Sequence, residues 1–335
     1  MHIPNAVLDP KVAITTALAG ASGLAYCLGK LDRQLGDRSP VLLGTMAAFV
    51  FAAQMVTFPL GPFGVSGHLL GGVLAAVVLG PWAGAVVIAA VLIVQCLVFG
   101  DGGLLALGAN FVNMGIVGSV IGYAIYDPIR KSIGGQRGVL MGAILAAWAS
   151  VILASAAFSI ELAASGRWSD FSRVLSWMAL IHAGIGVGEA LITGVVLKFV
   201  LQTRPDLIYE PESPIDSVTS PEERLSQAFR IGTAGLAAAL TIGVFLAPFA
   251  SGFPDGLEFV GERLGFLKGA APASIPVLIP DYEFPGLQRV SLKAATAAAG
   301  AVGTCVVFLF GLGLTGLLTR SAPAAAPEKV AADAA

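Results

Sequence analysis

Residues 67–99 read GHLLGGVLAAVVLGPWAGAVVIAAVLIVQCLVF, and no Asp, Glu, Lys or Arg interrupts them. A helix in water needs a polar stripe opposite its apolar one, and this stretch has none. A bilayer core about 30 Å thick is crossed by about 20 apolar residues in a helix. The stretch divides into runs at 67–80 and 82–99. The second is long enough to cross, and the first is short enough to be partly re-entrant.

The same pattern recurs on both sides, at 12–30, 40–59, 104–126, 138–160, 174–201, 229–249 and 291–318. The expectation is an all-α membrane protein, a polytopic bundle of about nine transmembrane helices, seven plus two. Only 12% of the 335 residues are charged, against about 25% in soluble domains. Glycine, 42 residues, suits membrane helices that approach closely. A net charge of −2 without a basic stripe excludes nucleic acid as a partner.

Short-loop charges set the expected orientation. Lys30, Arg33 and Arg38 follow the first run, and Arg130, Lys131 and Arg137 follow the fifth. The loops at 60–66 and 100–103 carry no Lys or Arg. The N-terminus is therefore expected outside and the C-terminus inside. The basic cluster follows the first apolar run instead of preceding it, the reverse of a secretory signal, so Met1 is expected to be retained.

Four parts follow. A seven-span unit occupies 1–201, and a proline- and acid-rich cytoplasmic linker occupies 202–228. A two-span unit at 229–320 carries an outer loop at 250–290, and the alanine-rich tail 321–335 reads as disordered. Cys27, Cys96 and Cys305 are isolated in apolar runs, which points to packing and not to a disulfide framework.

The chemistry gathers at histidines. The Met1 amine with the amide nitrogen and imidazole of His2 would form two fused chelate rings, an all-nitrogen arrangement suited to Ni2+ or Cu2+. His68 starts the third run after a loop on the same expected side as Met1, and a histidine entering a membrane segment is a functional candidate. The competing readings are a frayed tip for His2 and a carbonyl-bonded helix start for His68. Asn110 and Asn113, at i, i+3, and His182 and Glu189, at i, i+7, are the other polar residues singled out in apolar runs. They are candidates for helix cross-links or a network supporting the site. There is no GxxxxGK[ST], HExxH or GxSxG, so no nucleotide is bound and no enzyme motif is present.

MHIP at 1–4, SGHLLGG at 66–72, GANFVNMGIVG at 108–118 and HAGIGVGEALITG at 182–194 resemble the metal-binding M subunit of nickel/cobalt energy-coupling-factor transporters. FPDGLEFVGERLGF at 253–266 resembles the PDGLE motif of their small N-type subunit, giving a fused M–N chain. The resemblance implies Met1, His2 and His68 as ligands of Ni2+ or Co2+, nickel slightly favoured, and a regulatory loop at Pro254, Asp255, Gly256, Leu257 and Glu258. It also implies a transmembrane coupling subunit and two cytoplasmic ATPases in a bacterial or archaeal cytoplasmic membrane. The family commonly has Asp-Gly where this chain has Asn5-Ala6. The main rival reading is a stand-alone secondary transporter in which His182 and Glu189 relay protons. An intramembrane enzyme has no motif behind it.

Overall fold

A computed structural model describes residues 2–31, 39–210 and 221–319. Met1, Arg33, Arg38, the middle of the linker and the tail at 321–335 lie outside the described residues. The fold is an all-α membrane bundle. Among the described residues, six helical stretches are long and apolar enough to cross a membrane; one of them, Gly135–Thr203, runs for 69 residues.

The opening stretch folds around a break. Helices α1 (Pro10–Leu31) and α2 (Ser39–Gln54) precede it. Helix α3 (Gly72–Leu79) stops at Gly80, whose φ of 93° is left-handed, and α4 (Pro81–Val94) restarts with proline in its first turn. Eight residues rise about 12 Å, so α3 reaches less than half of a bilayer core. All eight α3 residues are buried, and α4 with its π-helical continuation Gln95–Phe99 forms the apolar centre of the bundle. Before α3, strands β1 (Phe58–Pro59) and β2 (Ser66–Gly67) pair antiparallel in a small hairpin that delivers His68.

Helix α5 (Leu107–Asn110) continues as a π-helical stretch, Phe111–Ile121, into α6 (Gly122–Ile133). Helices α7 (Gly135–Leu162) and α8 (Phe171–Thr203) double back on each other. The turn contains Ser165 and Gly166, Gly166 at φ 97°, and Trp148 Nε1 of α7 donates to the Ala183 carbonyl of α8 at 3.1 Å. On α1, Gly20 and Ala17 meet Gly108 at backbone contact, where a methyl on Gly108 would lie 2.3 Å from the Ala17 Cα.

The C-terminal part comprises α9 (Pro221–Thr241), the short α10 (Gly256–Leu264) and α11 (Leu292–Thr319). Helix α9 begins eight residues before the apolar run expected at 229. Its early turns include the polar residues Ser226 and Gln227, which apolar patterning alone excludes from the span. At 202–210 the chain is not a free tether: the Tyr209 amide donates to the Val77 carbonyl at 3.0 Å. Helix α11 crosses α2 where a methyl on Gly311 would sit 3.1 Å from the Gly44 Cα, the close approach that small residues allow.

Candidate metal centre

Residues 2–9 run into the bundle and are held there. Asn110 clamps Ile3 on both sides: the Ile3 amide donates to Asn110 Oδ1 at 2.8 Å, and Asn110 Nδ2 donates to the Ile3 carbonyl at 3.3 Å. The Gly103 amide also donates to the Ile3 carbonyl at 2.8 Å. Ile3 is fully buried and His2 is 9% exposed. Asn5 bonds the outer segment, accepting on its carbonyl from the Ala271 amide at 3.0 Å and donating from Nδ2 to the Pro272 carbonyl at 3.3 Å. Ala6 adopts φ 64°, a left-handed conformation costly for a residue with a Cβ.

The His2 and His68 rings lie nearly parallel, 19° apart in plane, with centroids 5.3 Å apart. A relay of amides orients His2. Gln54 Nε2 donates to the Leu70 carbonyl at 2.9 Å, and Gln95 Nε2 donates to Gln54 Oε1 at 2.8 Å. Gln95 Oε1 can then only accept, so His2 Nε2, 3.1 Å away, carries the hydrogen. The lone pair falls on His2 Nδ1, which faces Asp101 Oδ1 at 3.3 Å. Asp101 is itself held by the Tyr282 hydroxyl, which donates to Oδ2 at 2.6 Å. Tyr282, at φ 57°, stacks on Phe99 with centroids 4.6 Å apart. Burial lowers the His2 pKa from its usual 6.5, and the Asp101 carboxylate opposes this only in part.

His68 is set by the opposite logic. Its Nδ1 lies 2.9 Å from the Leu69 carbonyl, which accepts only, so the lone pair falls on Nε2. Nε2 is 4.0 Å from Asp255 Oδ2. The carbonyl bond expected for a merely structural histidine is thus present, and it leaves Nε2 as the ring nitrogen on the Asp255 side. Glu189 fixes this loop, both of its oxygens accepting main-chain N–H groups, those of Leu70 and Gly71.

Asp255 arrives from the C-terminal part. The Pro254–Glu258 loop is a helix start. Asp255 caps α10 and accepts from the Glu258 amide on Oδ1 at 2.8 Å, while Glu258 accepts from the Asp255 amide at 2.9 Å. Gly256 and Leu257 form the first turn, and Asp255 Oδ2 lies on the His68 side. The Ser66 amide and hydroxyl bond the Pro254 and Phe253 carbonyls, each at 2.8 Å, and so dock the loop beside His68.

His2 and His68 therefore come together, with Asp255 beside them and Asn110 clamping the segment that carries His2. Asn113 is directed elsewhere. The wider π turns after Asn110 break the i, i+3 alignment, and Asn113 Nδ2 donates to Glu161 of α7 at 2.9 Å. His182 donates from Nδ1 to the Met178 carbonyl at 2.8 Å, and no hydrogen bond joins His182 to Glu189 among the described residues. Sequence patterning passes over Gln54, Gln95, Asp101 and Tyr282. The signals available are two glutamines inside apolar runs and an acid in GDGG at 100–103.

No group of three or more His, Cys, Asp or Glu closes on one point among the described residues. A metal held here needs main-chain or terminal nitrogen in addition to the two imidazoles.

The family model described as the cobalt uptake substrate-specific transmembrane region, CbiM, matches residues 2–207, and that of the PDGLE domain matches residues 230–320. The fused nickel transport protein NikMN of Rhodobacter capsulatus is 30% identical over 96% of this chain and 100% of its own. An Archaeoglobus fulgidus relative, also designated NikMN, is 35% identical over 94% of this chain and 98% of its own. The crystal structure of a truncated transition metal transporter matches 60% of this chain and 99% of its own, with a TM-score of 0.55 and 28% identity. With the M-type bundle and the capped PDGLE helix meeting at His68, the chain belongs to the CbiM family of cobalt uptake substrate-specific transmembrane proteins and carries a PDGLE domain in the same polypeptide.

Proposed function

We propose that this chain is the substrate-specific component of an ATP-driven nickel or cobalt importer, with nickel slightly favoured. It takes Ni2+ or Co2+ from outside the cytoplasmic membrane. The Met1 amine, the His2 amide nitrogen, His2 Nδ1 and His68 Nε2 supply the four nitrogens. The observation that carries this reading is electrostatic. Two buried imidazole lone pairs each face a carboxylate oxygen, His2 Nδ1 towards Asp101 and His68 Nε2 towards Asp255. Two neutral imidazoles turned to present a metal-competent nitrogen, with two carboxylates beside them to offset a divalent charge, are the donor set such an ion needs.

The hydrogen bonds to Gln95 and Leu69 support this use, because they hold each imidazole in the tautomer a metal needs. Orientation is supported by charge: α1 starts beside the site and reaches Lys30 in its last turn, and α6 ends at Arg130 and Lys131. A chain without a nucleotide motif draws energy from partners, a coupling subunit and two ATPases.

Metal content of the purified chain tests the site, native against His2→Ala, with mass spectrometry confirming an unblocked Met1. The native chain is expected to hold one ion and the variant none. Equal stoichiometry in both would sink the chelate. Uptake in cells lacking the ATPases is expected to fall to background; undiminished uptake would favour the stand-alone transporter.

A further inference from the structure

One face of the bundle carries a groove that the metal centre does not use. It runs between α7 and α8 and holds about 450 Å3, with Leu140, Ile144 and Trp148 on one wall and Val187, Leu191 and Val195 on the other. That volume lies in the range of ligand pockets, about 300–1,000 Å3. Trp148, Leu191 and Val195 are exposed, so the groove opens outward from two membrane-crossing helices. The indole of Trp148 is fixed, because its Nε1 donates to the Ala183 carbonyl. Lys198 is the single charged residue of the lining, and it stands at one end.

Lys198 follows Val187 by eleven residues of α8, about 16 Å by helix rise and roughly half of a bilayer core. The groove therefore runs the depth of one leaflet. Arg137 stands near the same end: it precedes Leu140, Ile144 and Trp148 at i+3, i+7 and i+11, which places it on the groove face of α7. Arg137 and Lys198 are exposed, and neither belongs to an ion pair among the described residues. A partner helix is the rival occupant. Membrane helices meet where small residues let backbones approach, and α7 already covers those of α8. A methyl on Gly186 would lie 3.0 Å from Trp148, and one on Gly194 would lie 3.0 Å from Ile144. What stays open is an apolar slot with two cations at its mouth. We propose that this groove seats an acyl chain of an anionic phospholipid, drawn from the leaflet on the Arg130–Lys131 side, with Lys198 and Arg137 at its phosphate. The long stems of both side chains lie along apolar surface while their charged ends reach the headgroup level. One basic residue near the membrane surface favours an anionic headgroup by about fivefold. The lipid site does not depend on which ion the chain carries.

Native mass spectrometry of the full-length chain tests this, with the protein released from micelles that hold equal amounts of phosphatidylglycerol and phosphatidylcholine. The native chain is expected to keep one phosphatidylglycerol, in preference to phosphatidylcholine by about fivefold or more. Lys198→Gln, a change at an exposed position, is expected to cut that preference by about fivefold. Val187→Trp, which fills the far end of the groove from another exposed position, is expected to lower retention of both lipids. Equal retention of the two lipids by the native chain overturns the proposal, and so does a preference that Lys198→Gln leaves intact. A dimer or a bound partner subunit that Val187→Trp releases, with phosphatidylglycerol retention unchanged, also overturns it and gives the groove to a protein helix.

Discussion

At the scale of single residues, the site depends on hydrogen bonds that aim lone pairs. Gln95→Leu removes the only acceptor described for His2 Nε2–H and frees the ring to change tautomer. Metal affinity is expected to fall about 10–100-fold, the usual effect of losing an orienting partner, measured by competition with a chelating dye. Ala6 offers the opposite case. Held at φ 64°, it should prefer glycine, and Ala6→Gly is expected to raise stability by about 0.5–1 kcal/mol after the extra unfolded-state entropy is deducted. Thermal unfolding in detergent reads this; a lower Tm would refute it. Acid sensitivity is a residue property too. The folded His2 has its pKa lowered from 6.5, so below that pH the unfolded chain takes up a proton that the folded chain refuses. Stability of the metal-free protein is therefore expected to decline as pH falls from about 6.5 towards the folded pKa, and this share to be absent in His2→Ala. His2 and His68 are legible in the sequence because histidines at apolar boundaries are rare. Gln95, Asp101 and Tyr282 are not, because their roles exist only after segments 181 positions apart meet through the Tyr282–Asp101 bond.

At the scale of elements, local rules explain most of what patterning can and cannot reveal. DGLE at 255–258 is a capping box, a signature readable from the spacing of its two acids alone, yet its resemblance to a family motif points first to a regulatory role. The cap uses Asp255 Oδ1 while Oδ2 lies on the His68 side, so one side chain starts a helix and faces His68. The short third run is an eight-residue half-helix, in keeping with a re-entrant reading; the Gly80–Pro81 pair shows why. The π-helical stretch at Phe111–Ile121 is invisible to patterning, because i, i+5 bonding leaves no hydrophobic period to count. The crossing of α1 and α5 at Gly108 gives a sharp test. Gly108→Ala places a methyl 2.3 Å from backbone, and α1 must shift, at a cost of about 1–3 kcal/mol. A Tm equal to the native value would show that the helices are not packed this closely.

At the scale of the whole molecule, the PDGLE part is built into the CbiM-type part and does not hang from it. Helix α11 lies against α2, residues 251–255 are stitched to 57–68, and Ala271 bridges to Asn5. Chains broken between 207 and 221 are therefore expected to co-purify, with an affinity tag on one piece retaining the other; separation on washing would contradict the interface. The apolar spans are legible along most of the chain, because they follow from composition. That the units share one site is not, since no periodicity encodes a contact between residues 68 and 255. That distance along the chain has a consequence in time. At about 5–20 residues per second, roughly ten to forty seconds of synthesis separate His68 from Asp255. During that interval a nascent chain already exposes both imidazoles without the carboxylate that later faces His68. The candidate site is thus finished by the last-made quarter of the protein, and a ribosome that stalls before residue 255 leaves behind an incomplete one.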